Sequence, residues 1–158
     1  MKMKMRSIFN QILFESLQDT KVSDNGKPIL MYHGGGYSGG DAFRGDGWFT
    51  VSKTDGKYYA RQSGGSLTAA YLDIKNPLYA GYVKSFKVVP DNKFLKSLKS
   101  RKIEHSVQLE DGYISYIEPN SAVLIAKDIG RDGVIVLEED GSISDSVIFN
   151  SSQVVLKK

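Results

Sequence analysis

The 158-residue chain contains no cysteine. Disulfides, thiol nucleophiles and cysteine-ligated zinc are therefore excluded, and the chain suits a reducing compartment such as the cytosol. Histidine is scarce as well. His33 and His105 are the only two, and no His-x-x-x-His pair exists, so no metal is expected. No apolar run approaches the roughly 18 residues that a membrane-spanning helix needs, so no membrane association is expected. The opening stretch MKMKMRSIFNQILFESLQD is basic and then apolar. Asn10, Gln11 and Glu15 interrupt it and no small-residue cleavage site follows, which argues against a secretory leader. Neither sign of charge dominates: 21 Lys and Arg oppose 18 Asp and Glu, a net of +3.

What is present fits one ordinary domain. Hydrophobic residues make up 41% and charged residues 25% of the chain, close to globular averages, and the length suffices for a core without staples. Ile8, Phe9, Ile12, Leu13 and Leu17 are spaced for a short amphipathic helix over 7–18. A turn-rich linker, DTKVSDNGKP, leads to the domain proper, residues 28–158. ILMY and GWFTV predict short strands on either side of a glycine-rich loop. SKTDGKYYARQS predicts a helix with capping-box-like Ser52 and Asp55, stopped by Gly64-Gly65. SLTAAYLDI and Lys84–Val89 predict strands. PDNKFLKSLKSRK predicts a helix starting at Pro90-Asp91, GYISYIE a strand, and NSAVLIAKDIG a helix capped by Asn120 or Ser121. DGVIVLEEDGSISDSVIFN predicts a hairpin turning at Asp140-Gly141, and QVVLK a last strand. Short strands and helices in mixed order, without regular βαβ alternation, indicate an α+β fold with a largely antiparallel sheet.

Charge is unevenly distributed. Residues 84–102 hold seven basic side chains and one acid, whereas acids dominate 128–145. A run of this kind is usually a solvated face, although it can also steer an anionic ligand or dock a nucleic-acid backbone.

The densest local signal is LMYHGGGYSGGDAFRGDGWFTV, residues 30–51. It combines His33, seven glycines and the sole tryptophan, Trp48. A phosphate loop is excluded, because no Gly-Lys-Ser/Thr occurs and the loop leads into a strand, not a helix. No nucleophile elbow accompanies the serines. There remains a polar His33 directly after an apolar strand, followed by glycines whose backbone can approach a ligand closely. Trp48 and Tyr59 lie eleven residues apart, on a strand and the following helix. A helix folded back over the strand would face their rings across a gap suited to a flat, cationic ring. From spacing alone the commoner arrangement is that Trp48 and Tyr59 are core aromatics and His33 a satisfied buried histidine.

Tyr32-His33-Gly34, Gly47-Trp48-Phe49-Thr50 and Tyr58-Tyr59-Ala60, in this order, resemble the ADP-ribosyltransferase fold. The likeness is to the His-Tyr-Glu branch of diphtheria toxin and the poly(ADP-ribose) polymerases, and to small domains of that fold in phage and bacterial effectors. DGVIV and DSVIFNSSQVVLK resemble the closing strands of the group. The likeness spans about 29–75 and 132–157. It implies two small, mostly antiparallel sheets with short helices, forming a cleft for NAD as substrate. It implies that His33 bonds the adenosine ribose, that the Gly34 backbone holds the nicotinamide amide, that Trp48 and Tyr59 stack on the ring, and that Asp145 stands at the catalytic glutamate. Arg44 and Arg61 are candidates for the pyrophosphate.

Three departures stand out. Trp48 replaces a tyrosine, Gly56 replaces a serine that contacts the amide (with Thr54 or Ser52 as substitutes), and Asp145 is one methylene short of glutamate. Ile143, two before Asp145, removes the Glu-x-Glu pair of arginine-modifying toxins. The function implied is mono-ADP-ribosyl transfer from NAD to a protein or nucleic-acid acceptor by a cytoplasmic monomer, in the host cytosol if the chain is phage-encoded. Two alternatives stay open: a degenerate domain that binds NAD, ADP-ribose or nucleic acid without catalysis, and an unrelated interaction domain.

Overall fold

The computed structural model describes residues 17–35, 47–63 and 65–157. The helix expected over 7–18 and the glycine loop with Arg44 lie almost wholly outside them. Strands β1 (Ser23–Asp24) and β2 (Lys27–Pro28) form a small hairpin whose turn, Asn25-Gly26, has positive φ at both residues. This is the left-handed turn that Asn-Gly favours. Next come β3 (Met31–Gly34), β4 (Gly47–Thr50), helix α1 (Lys53–Ser63), β5 (Leu67–Leu72) and β6 (Pro77–Tyr82). Helix α2 (Asn92–Arg101), β7 (Val107–Glu110), β8 (Tyr113–Ile117) and helix α3 (Pro119–Asp128) follow. β9 (Gly133–Leu137), β10 (Ile143–Ile148) and β11 (Val154–Leu156) close the chain.

The fold is α+β and its strands pair mostly antiparallel. Nine of them join in one hydrogen-bonded order, β11-β5-β3-β4-β10-β9-β6-β8-β7. Where the resemblance implied two small sheets, the nine strands form one continuous hydrogen-bonded array, with α1 against β3 and α3 against β6 and β9. β10 stands in the middle, between β4 and β9. Among the described residues the single parallel pairing is β6 with β9. All five residues of β9 are buried, as a strand covered on both faces requires.

Caps follow simple chemistry. Asp91 accepts the Phe94 N–H at 2.9 Å, and Ser52 accepts the Asp55 N–H at 3.1 Å. Helix α3 is capped by Glu118, whose carboxylate accepts from Asn120 N and Ser121 N, with Pro119 in the first turn. The expected caps Asn120 and Ser121 are instead the donors, because the cap lies at Glu118 and the helix starts on Pro119, at least two residues earlier than expected, at a residue whose φ is already helical.

Three strand assignments change. Lys84–Val89 is not a strand. The chain makes a 3-10 turn over Lys84–Phe86, Lys87 adopts a left-handed φ of 50°, and Phe86, Val88 and Val89 stay exposed. The segment meets β8 through a single backbone bond, from Ile114 N–H to the Val88 carbonyl at 2.8 Å, and the 3-10 turn with left-handed Lys87 prevents a ladder. Pro77–Tyr82 and Val107–Glu110 are strands that local pattern did not announce, since their register is set by distant partners.

Residues before 28 are tied into the domain. Val22 is fully buried, and the Thr20 hydroxyl donates to the Leu72 carbonyl at 2.5 Å and accepts the Ile74 N–H at 3.1 Å. At the other end, Gln153 uses its whole amide. Its oxygen accepts from Phe149 N and Asn150 N (3.0 and 2.9 Å), and its nitrogen donates to Asp73 O and Asp132 O (3.1 and 2.8 Å). It thereby holds the loops before β6, β9 and β11 together. Gln153→Ala should cost about 2–4 kcal/mol, as several backbone partners lose their bonds. Urea denaturation checks this, and a loss under 1 kcal/mol would contradict the clamp.

Candidate active site

The centre of the array is set by strand register. Directly paired residues share a face, so Tyr32, Thr50, Asp145, Val136 and Ala80 line up across five strands on one face. Val51 N–H donates to the Ser144 carbonyl at 3.0 Å. Backbone bonds therefore fall at Val51–Ser144, and Thr50–Asp145 is a non-bonded pair, the kind that brings side chains closest. The Thr50 and Asp145 side chains are therefore close neighbours; the Thr50 hydroxyl donates to the Ser144 carbonyl at 3.5 Å, and Ser144 Oγ donates to Asp145 Oδ2 at 3.1 Å. Burial pushes the Asp145 pKa up from the ordinary aspartate value. The Ser144 and Thr50 hydroxyls pull it back, and the charges of Glu138 and Asp55 add to the rise.

Two strands away, the ladder between β3 and β4 stops. The Gly35 N–H donates to the Ser66 carbonyl, so Gly35, His33 and Met31 turn their peptide groups toward β5, and Tyr32 and Gly34 turn theirs toward β4. Tyr32 pairs with Thr50, but no rung joins Gly34 to Trp48. The Trp48 carbonyl instead bonds the His33 ring at Nδ1, 2.7 Å away. A carbonyl can only accept, so Nδ1 carries the proton, and in the neutral ring Nε2 is an acceptor. The ladder opens at a glycine, and this unpaired rung between the Gly34 and Trp48 peptides, bridged by the His33 side chain, is what we term the slot.

Helix α1 covers this face. A Cβ on Gly34 would run into the backbone of Gly56, Tyr59 and Ala60, and one on Gly56 would lie 2.9 Å from Tyr32 Cβ and Leu67 Cδ1. Strand and helix thus cross glycine to glycine. No serine side chain fits at position 56, so its absence there is a packing requirement. Ser52, a suggested substitute, is engaged as the helix cap.

Of the expected site residues, Trp48, Asp145 and the Tyr59-bearing helix lie on this face. Trp48 is half-buried beside the core, and Tyr59 is 56% exposed and packs edge-on against Tyr58 at 5.6 Å between centroids. His33 lies toward the other face. Its ring sits 5.2 Å from Phe49, which is buried and alternates with Trp48 along β4. His33 reaches the slot through its bond to the Trp48 carbonyl. Arg61 is exposed in the last turn of α1, and Arg44 lies outside the described residues. Sequence reasoning missed Thr50, Ser144 and the Gly34–Gly56 crossing. Thr50 could have been found by alternation, being two residues from Trp48 on one strand. Among the described residues, no cluster of three metal-ligating side chains forms and no helix is long and apolar enough to cross a membrane.

A family model described as ADP-ribosyltransferase in polyvalent proteins matches residues 23–156. The chain belongs to this family. No curated protein and no solved structure matches it. The match starts inside the segment read from sequence as a linker. It also bridges residues 80–125, where the resemblance could not be followed, so the whole nine-stranded array belongs to the ADP-ribosyltransferase domain. Enzymes of this kind use NAD as the ADP-ribose donor.

Proposed function

We propose that the protein is a mono-ADP-ribosyltransferase that cleaves NAD at the nicotinamide–ribose bond and passes ADP-ribose to a macromolecular acceptor. The observation that carries this is the placement of a half-buried carboxylate, Asp145, on the sheet face that also carries Trp48 and helix α1, two strands from the opened Gly34 rung. In this reading the Gly34 peptide groups pair with the nicotinamide amide, and Trp48 and Tyr59 hold the ring. His33 Nε2 accepts from a ribose hydroxyl, and Arg44 and Arg61 serve the pyrophosphate. Bond cleavage builds positive charge on the ribose, and Asp145 stabilises it from a poorly hydrated position, where a charge acts more strongly than in water.

Trp48 is the only tryptophan, so its fluorescence reports on the slot directly. NAD should quench it, and His33→Ala should weaken NAD binding by about tenfold, the worth of one good hydrogen bond to a partly buried group. Unquenched emission at saturating NAD, with NAD bound by calorimetry, would move the site away from β4. Transfer itself is tested with labelled NAD and a cell lysate, comparing wild type with Asp145→Ala. Binding of NAD without its cleavage in the wild type would favour a degenerate, ligand-binding domain, which the shorter Asp145 motivates.

A further inference from the structure

Apart from the slot, a cleft of about 1020 Å³ lies over β6, β8 and the β9–β10 turn. Tyr82 and Tyr116 face each other across paired strands, rings 5.1 Å apart and edge to face, and Tyr113 stands beside them. Tyr82 is 44% exposed. Polar, partly exposed tyrosines of this kind are efficient contact residues, because they offer large area for little conformational entropy.

The charges around these rings are mostly negative. Lys84 is neutralised by Glu110 at 2.7 Å. That leaves Asp111, Glu139 and Asp140 against Lys87. Asp140 is a settled carboxylate: Ser142 donates to it from both Oγ and N, at 2.6 and 2.9 Å. A negative cleft on a chain of net charge +3 runs against the overall charge, so the general field of the protein does not account for it.

The cleft lies along the sheet from Asp145. Tyr82 pairs with Tyr116 and stands two residues along β6 from Ala80, which is on the Asp145 line of residues, with the left-handed Gly81 (φ 73°) between them. Glu138 follows β9 at the mouth of the β9–β10 turn, and its charge is felt by both Tyr116 and Asp145.

We infer that this tyrosine-lined, acid-rimmed cleft docks a lysine- or arginine-rich segment of a protein acceptor beside Asp145. Cationic side chains would lie over the tyrosine rings and against the Glu139 and Asp111 carboxylates, both favourable for a cation and unfavourable for a phosphate backbone. The acceptor role rests on the transferase reading, but docking does not, and it is measured without NAD.

The full chain is titrated with a fluorescent ten-residue Lys/Arg-rich peptide, its Glu-substituted counterpart and a single-stranded RNA of similar length. The basic peptide should bind, and the acidic peptide and the RNA should bind at least about tenfold more weakly. Glu139→Lys, on an exposed turn and outside the slot, should weaken peptide binding about tenfold and leave NAD quenching of Trp48 unchanged. Tyr82→Ala should do the same, and Tyr82→Phe should restore most of the affinity. Equal peptide affinity in wild type and Glu139→Lys overturns the inference, as does tighter binding of RNA through the same residues. Loss of NAD cleavage with peptide docking intact would count against the transferase reading alone.

Discussion

Asp145→Asn is expected to lose transfer activity by about 100-fold or more and to unfold at a higher temperature than the wild type at pH 7. On the proposed transferase reading, the activity loss follows from removing the carboxylate that offsets the growing positive charge on the ribose; losing a single preorganised electrostatic contact of this kind typically costs about 100- to 1000-fold. The stability gain follows from the same environment. Burial raises the folded-state pKa of Asp145, so the folded chain holds that proton more tightly than the unfolded chain. Its contribution to stability is complete below the ordinary aspartate pKa of about 4 and is lost as the pH rises through the raised folded value. An amide carries no charge to desolvate and can still accept from Ser144. The advantage of the variant should therefore be absent at acidic pH, appear across that window and stay constant above it. Melting temperatures of both proteins across the pH range test this. A variant less stable than wild type at neutral pH would show that the carboxylate is structurally needed, not merely tolerated.

Gly34→Ala is expected to destabilise the protein by about 3 kcal/mol, the upper end for overpacking. The added methyl would meet the backbone of Gly56, Tyr59 and Ala60. Backbone atoms inside a helix cannot swing aside as a side-chain tip can, so α1 must shift as a body. That shift moves Tyr59 relative to Trp48 and distorts the slot. NAD binding should consequently fall even in the fraction that remains folded, a pairing that a simple surface mutation would not give. Chemical denaturation and Trp48 quenching measure the two effects separately. A change under 1 kcal/mol would mean that strand and helix separate easily.

Much of the fold was legible locally. Helices α2 and α3 follow from apolar spacing and stop signals, and the β9–β10 hairpin from a continuous apolar run, an Asp-Gly turn and a second strand. Illegible parts share one cause. β6, β7 and the true course of Lys84–Val89 depend on which strand lies alongside, and nothing in a six-residue window encodes that. The Glu118 cap was hidden because the asparagine and serine after it are also good caps, and only the position of Pro119 selects between them.

The candidate site divides in the same way. His33, Trp48, Tyr59 and Asp145 are visible as residue types at family spacing. Their partners are not: Thr50 beside Asp145 and Gly56 beneath Gly34 are products of register. Gly56 read as a departure from the family pattern, and its neighbours turn it into a condition for the helix to sit where it does. Basic charge over 84–102 is also reduced by the fold. Arg101 makes a two-pronged pair with Asp128 (2.6 and 2.7 Å) and, with Ser97, holds its pKa down to about 2, and Lys84 is spent on Glu110.

The central position of β10 has a consequence for how the chain comes into being. As the last-but-one strand in order of synthesis, it must enter between β4 and β9, both made earlier. Until residues 143–148 leave the ribosome, those two strands have unsatisfied edges and the array cannot close. The carboxylate arrives on that same strand. In the proposed transferase, completion of the sheet and delivery of Asp145 to its place are thus one event.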